Sequence, residues 1–398
     1  MLSVSVGRRT LLKAGLSVPV VTWSAGGASA LWAAASANPY RRLLVLIELR
    51  GGNDGLNTWV PYAGQAAELY RRYRPTLALN PDQIIQLTDT SGLHPSLEPL
   101  AAFWQRGEMA VIEGLGYPQP NLSHFRSIEI WDTASHAHEY LTEGWLARAF
   151  ALAAPPAHYL ADAVSIGAGD LGPLAGGART LAINSLEAFV RQARLAAPQG
   201  HSNNRALAHL LRLEADVHAA GARLDRTRAA LTTEVPAHAF GQQVKTALEL
   251  LAGSSGIAAL RIGLGSFDTH RGQAGTHAAL LKQLAEGIVA LRAGLLELGR
   301  WRNTLILTYC EFGRRVRENA SAGTDHGTAN VQFAFGGALK AGLYGAAPNL
   351  AALDGTGNPP HTTDFRSLYA TVLCAWWGLP TEVAERVLGG RYPQLGFV

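Results

Sequence analysis

Charge is scarce in this chain. Only 16% of its 398 residues are Asp, Glu, Lys or Arg, against 48% apolar. That balance excludes general disorder and leaves ample material for a core in one large domain or two small ones. No Lys/Arg-rich run interleaved with aromatics occurs, so nucleic acid is not an expected partner. Cysteine is nearly absent. Cys310 and Cys374 are the only two, which excludes a disulfide framework and leaves one bridge open in an oxidising compartment. There is no internal repeat, and no low-complexity linker after residue 40.

The net charge of +4 belongs mainly to the N-terminus. Residues 1–37 hold Arg8, Arg9 and Lys13 and no acid; without them 31 basic residues face 30 acidic ones. Gly7-Arg8-Arg9-Thr10-Leu11-Leu12-Lys13 precedes a long uncharged stretch rich in Ala, Ser and Gly, and Ala35-Ser36-Ala37 is a small-residue cleavage site. The pattern reads as a twin-arginine export signal over 1–37. It implies the twin-arginine translocation machinery as a partner, a periplasmic or extracellular location, and no stable membrane span after cleavage. An uncleaved anchor is the alternative, since the stretch is long enough to span.

The mature chain is organised around Leu43 to Asn57, an apolar run that ends in Gly51-Gly52-Asn53-Asp54-Gly55. A continuous Leu/Val/Ile run of this length is what a strand buried on both faces requires, hence a parallel sheet covered by helices. Reactive groups in such sheets gather past the carboxyl ends of the strands, where Asp54 lies. Further strands are expected at Met109–Leu115, Ala161–Ile166, Ile257–Gly265, Thr304–Cys310 and Val331–Phe335. Helices are expected over about Gly92–Gln105, from Ser123, and over Leu181–Arg194, Asn204–Thr233, Ala278–Arg300 and the stretch ending at Trp377. Residues 134–256 read as a mainly helical excursion within a single domain spanning 38–398. The fold class is α/β, a doubly wound, mostly parallel sheet with helices on both faces.

Ser123 stands at a helix start after a strand and a Pro-containing turn. The place suits a nucleophile, because the helix N-terminus stabilises negative charge; it suits an ordinary cap equally. On the same topology Asp54, Asp268, His270, Glu311, Asp325 and His326 all follow strands. Carboxylates and imidazoles are ligands for divalent metals, and metals so held can clamp a phosphoryl or sulfuryl group. Caps and ion pairs are the alternative roles. The turn at 51–55 lacks the Lys-Ser/Thr of a P-loop and the spacing of a dinucleotide fingerprint.

The stretches LVLIELRGGNDGLN, NLSHFRS, SFDTH, CEFGRR and GTDHGTAN, with the twin-arginine leader, resemble the bacterial family called domain of unknown function 1501. The resemblance covers essentially the whole mature chain. That family is similar to the alkaline phosphatase and sulfatase superfamily, which implies a one- or two-metal hydrolytic site. The resemblance implies Asp54, Asp268, His270 and His326 as metal ligands and Ser123 as nucleophile; Glu311 and Asp325, by their places after strands, complete the expected metal ligands. Zinc, manganese, calcium and magnesium all remain open, as does the absence of any metal. Two departures stand out: Glu311-Phe312-Gly313-Arg314 replaces an expected Asp-His pair, and Gly272 occupies the place of a histidine. The expectation is an exported, metal-dependent hydrolase acting on a small-molecule or polymer phosphate or sulfate ester, with Arg50, Arg126 or Arg314 gripping ester oxygens. The alternative is a non-catalytic periplasmic binding or assembly protein.

Overall fold

In the computed structural model the described residues are 38–398, less 168–169, 178, 196–202, 227–230 and 255. The export signal falls on residues 1–37 and lies outside them. The strands in chain order are β1 (Leu43–Leu49), β2 (Trp59–Pro61), β3 (Ile85–Gln86), β4 (Ser91–Leu93), β5 (Met109–Gly116), β6 (Ala163–Ile166), β7 (Thr180–Ile183), β8 (Ala259–Leu264), β9 (Thr304–Tyr309), β10 (Arg314–Glu318), β11 (Thr324–His326), β12 (Asn330–Phe335), β13 (Gly342–Gly345) and β14 (Thr363–Asp364).

β1 is buried along all seven residues and pairs in parallel with β8 on one side and β9 on the other. The main sheet has the order β13-β5-β12-β9-β1-β8-β6-β7, with β14 added on β5. β12 runs antiparallel to both β5 and β9; the other pairings are parallel. Alternate residues of β1 feed two cores. Val45, Ile47 and Leu49 join Ile262, Ile306 and Phe333 on one face, and Leu44 and Leu46 join Leu305, Leu307 and Ala334 on the other. Helices cover both faces, so the chain is α/β and doubly wound. Pro39–Val398 form one compact unit.

Glu48 is the charge inside β1. The two-residue period puts it on the same face as Leu46, whose neighbour on β8 is Arg261. Arg261 Nη2 bonds Glu48 Oε2, and Arg50 reaches the same carboxylate at 2.9 Å. A buried charge is tolerated only when paired in this way.

Three expectations are corrected. Leu181–Arg194 is not one helix. Residues 180–183 pair with β6 as an edge strand, and the helix begins at Leu186; strand pairing overrides local helix pattern here. β6 stands where a strand was expected, and with β7 it extends the main sheet. The helix expected over Gly92–Gln105 is α-helical only at Ala101–Gln105, since Gly92 and Leu93 pair in β4 and Pro95–Leu100 form a 3-10 helix. The helix expected from Ala278 starts at Gln273, because Gly272 takes a left-handed backbone and Gln273 is buried against the hydroxyls of Thr269 and Thr324. Cys310 and Cys374 are both free thiols. Among the described residues no helix is long and apolar enough to cross a membrane.

Candidate active site

Five chain segments meet: the turns past the carboxyl ends of β1, β8 and β9, the helix His124–Thr133, which follows β5, and β11. Gly51 and Gly52 have φ of +111° and +73°. A Cβ on Gly51 would come within 2.5 Å of the Asp268 amide nitrogen, so only glycine lets the β1 turn touch the β8 loop. Arg314, at the start of β10, stitches these turns together. Its Nε donates to the Gly52 carbonyl at 2.7 Å, Nη1 to that of Thr324 at 2.9 Å, and Nη2 to the carbonyls of Phe267 and Gly51 and to Asp268 Oδ1 at 2.7 Å.

Three imidazoles surround the Asp268 carboxylate. His124 Nε2 lies 3.3 Å from Oδ2. His270 Nε2 and His326 Nε2 lie 3.0 and 3.2 Å from Oδ1, and 2.9 Å from each other. One ligand atom from each of His124, Asp268 and His326 falls within 4.8 Å of the others.

The second ring nitrogens are each held by an acceptor. His326 Nδ1 faces the Leu122 carbonyl at 2.7 Å, and a carbonyl only accepts. His124 Nδ1 faces Glu311 Oε1 at 2.7 Å, and His270 Nδ1 faces Asp325 Oδ1 at 3.3 Å. Neutral His326 therefore carries its proton on Nδ1 and turns the lone pair of Nε2 toward Asp268, whereas His124 and His270 meet a carboxylate at each ring nitrogen and can hold the proton on either. His124 Nε2 is buried with no hydrogen-bond partner among the described residues. Lone pairs facing a carboxylate call for a cation between them, supplied by a metal or by extra protons. Orientation of the far nitrogen by a carboxylate or carbonyl is the usual support of a metal-binding histidine. Ligands about 2.0–2.1 Å from a tetrahedral ion stand roughly 3.3 Å apart; the imidazole–carboxylate distances of 3.0–3.3 Å match this, within a set that spans up to 4.8 Å. The donor set fits a zinc-like ion.

Electrostatics pull in two directions. Partial burial works against the charged form of Asp268, but the hydrogen bond and charge of Arg314, with His124 and His270 nearby, hold its pKa at about 2. The hydrogen bond from Asn319, with His270 beside it, lowers that of Asp325. Burial lowers the pKa of His326, favouring the neutral ligand form, whereas the hydrogen bond to Glu311 raises that of His124. Arg314 places a fixed positive charge on Oδ1, the Asp268 oxygen that faces His270 and His326.

The expected site residues divide. Asp268, His270 and His326 come together, and Asp325 stands behind His270. Glu311 supports His124: its Oε1 also accepts the Gly51 N–H at 2.9 Å, while Oε2 is buried and unpartnered among the described residues. Ser123 directly precedes His124. It is exposed and its hydroxyl makes no cap bond, although it holds the N-cap position. Asp54 is placed differently from the expectation. Its buried carboxylate meets Arg74 Nη1 at 2.6 Å and the Gln273 side-chain amide, and it is not in the convergent histidine set. Arg126 turns to Glu129 and to the carbonyls of His136, Ala137 and Glu139, with Tyr140 over its guanidinium. Every nitrogen of Arg314 is occupied by the turns it binds. Arg50 lines a cleft of about 390 Å³ with His124, Phe125, Asp132, Asp268 and Glu311. His124 was not anticipated as a ligand. Its signal was its place next to Ser123 at the helix start.

The family DUF1501, described as a protein of unknown function, matches residues 41–388, and the chain belongs to it. No curated protein matches the sequence. Among solved structures, the chain is similar to Ps i-CgsB in complex with k-i-k-neocarrahexaose (12% identity, 88% of this chain and 74% of that one, TM-score 0.39). It is also similar to the C-terminal periplasmic domain of EcEptC from Escherichia coli, a complex with Zn (9%, 75% and 73%, 0.37). A third is alkaline phosphatase from the Antarctic bacterium TAB5 (10%, 74% and 91%, 0.30). At these scores the likeness carries no weight for chemistry, which rests on the side chains instead.

Proposed function

We propose that this protein is an exported, metal-dependent hydrolase of phosphate or sulfate esters, its metal held by His124, Asp268 and His326 with His270 at the edge. The observation that carries this reading is the convergence of three imidazole Nε2 atoms on Asp268, each ring held from behind through Nδ1 by a carboxylate or carbonyl. A bound divalent ion would supply Lewis-acid polarisation of the ester oxygens. Ser123 Oγ would form a bond to phosphorus or sulfur as the ester's bond to its alcohol breaks, the serine proton passing to the departing alkoxide. Water would then cleave the serine ester and restore the hydroxyl. Arg50, whose Nε and Nη2 are held by Glu48 and Asp170, would offer its remaining Nη1 to an ester oxygen from the cleft wall.

A second reading has its own observation. The Arg314 guanidinium on Asp268 opposes a cation there, and this favours a metal-free periplasmic binding or assembly protein. Elemental analysis separates the two. The hydrolase reading expects about one equivalent of zinc or a similar ion in wild-type protein, lost in Asp268→Ala and His326→Ala, with turnover in a phosphatase and sulfatase ester screen. No stoichiometric metal after reloading with zinc, manganese, calcium and magnesium would overturn it in favour of the second.

A further inference from the structure

Behind the turn 51–55, away from the histidines, lies a cavity of about 330 Å³. None of His124, Asp268, His270 or His326 lines it. Leu56, Trp59, Val331, Leu343 and Leu350 form its apolar walls, and Glu113 of β5 stands among them. Trp59 Nε1 donates to Glu113 Oε1 at 2.9 Å. Among the described residues no Lys, Arg or His forms an ion pair with Glu113. Arg314 also borders the cavity, but each of its nitrogens already donates elsewhere.

A carboxylate in an apolar recess is costly unless a cation pairs with it. Burial raises the pKa of Glu113, the Trp59 hydrogen bond opposing it only in part. The volume lies in the range of small-molecule sites, which combine apolar walls with a few placed polar groups. Anions are repelled by Glu113, and a neutral molecule leaves its charge uncompensated. A cation compensates the carboxylate directly.

We propose that this cavity binds a small apolar molecule bearing a protonated amine, with the ammonium on Glu113 and the apolar body against Leu56, Trp59, Val331, Leu343 and Leu350. The inference is independent of the hydrolase reading, since it uses none of the metal-facing residues.

The test is calorimetric titration of the full chain at neutral pH with benzylamine, and with benzyl alcohol as its uncharged match. Saturable binding of benzylamine is expected, with the alcohol about tenfold weaker or more, as for a lost bond to a charged group. Glu113→Gln should weaken benzylamine by a similar factor. Ala66→Trp, an exposed helix position on the cavity wall, should block it while circular dichroism shows an unchanged fold. If Glu113→Gln does not fold, Ala66→Trp decides alone. No saturable benzylamine binding to the wild-type chain, or equal binding to Ala66→Trp, would overturn the proposal.

Discussion

His124 Nδ1 lies 2.7 Å from Glu311 Oε1, across 187 residues of chain. The same oxygen accepts the Gly51 amide. One carboxylate thus ties the helix after β5, the turn after β1 and the end of β9 into a single wall. It also turns His124 Nε2 toward Asp268.

Glu311 should therefore act on metal affinity without touching the metal. Glu311→Ala is expected to weaken zinc binding by about 10–100-fold, the usual effect of removing the partner behind a liganding histidine. Competition against a chromophoric chelator measures it. An affinity equal to wild type would show that His124 is not a ligand.

Metal should stabilise the folded chain, because the unfolded chain lacks the site. Chelation should lower Tm and zinc should restore it, by about 2.7 kcal/mol of stability at a hundredfold excess over Kd. Asp268→Asn should show neither response in differential scanning calorimetry.

Ser123→Ala separates nucleophile from cap. Losing a working Ser cap costs about 1 kcal/mol, but the Ser123 hydroxyl caps nothing. Tm should hardly move, while ester turnover falls by about 10²-fold or more, as expected for a group that forms the covalent intermediate. A lowered Tm with full turnover would make Ser123 structural.

Asp54 belongs to stability. Burial alone would raise its pKa, yet the charge and hydrogen bond of Arg74, with His277 and Gln273, leave it lowered. A depressed carboxylate stabilises the fold above its unfolded pKa of about 3.9 and loses that contribution as pH falls through the lower folded value. Arg74→Met strands a buried carboxylate and should cost about 3–5 kcal/mol at neutral pH, read by urea unfolding, with metal content unchanged. Loss of metal together with an unaltered urea midpoint would return Asp54 to the ligand set.

Arg126 should prove structural. Arg126→Ala removes the bonds to the carbonyls of His136, Ala137 and Glu139, so limited proteolysis near 136–140 should quicken while ester turnover persists. Lost turnover with no new cleavage would put the guanidinium in the site.

The apolar run at Leu43–Leu49 and its glycine turn determined a buried parallel strand and the edge where chemistry collects, because burial on both faces leaves no alternation to hide. Asp268 and His270 stood out for the same reason, since each follows a strand, whereas His326 ends the short strand β11. Tertiary structure alone decided which of these side chains converge. Asp54 and Asp268 both follow strands in the sequence and each meets an arginine, Arg74 and Arg314 in turn, but only Asp268 is also reached by three imidazoles. His124 looked like a helix residue beside a cap until Glu311 and Asp268 were placed on either side of its ring. Local pattern carries period and turn chemistry. A carboxylate's role depends on which charged group approaches within about 3 Å, the range of a charge-assisted bond, and that is set by packing between segments far apart in the chain.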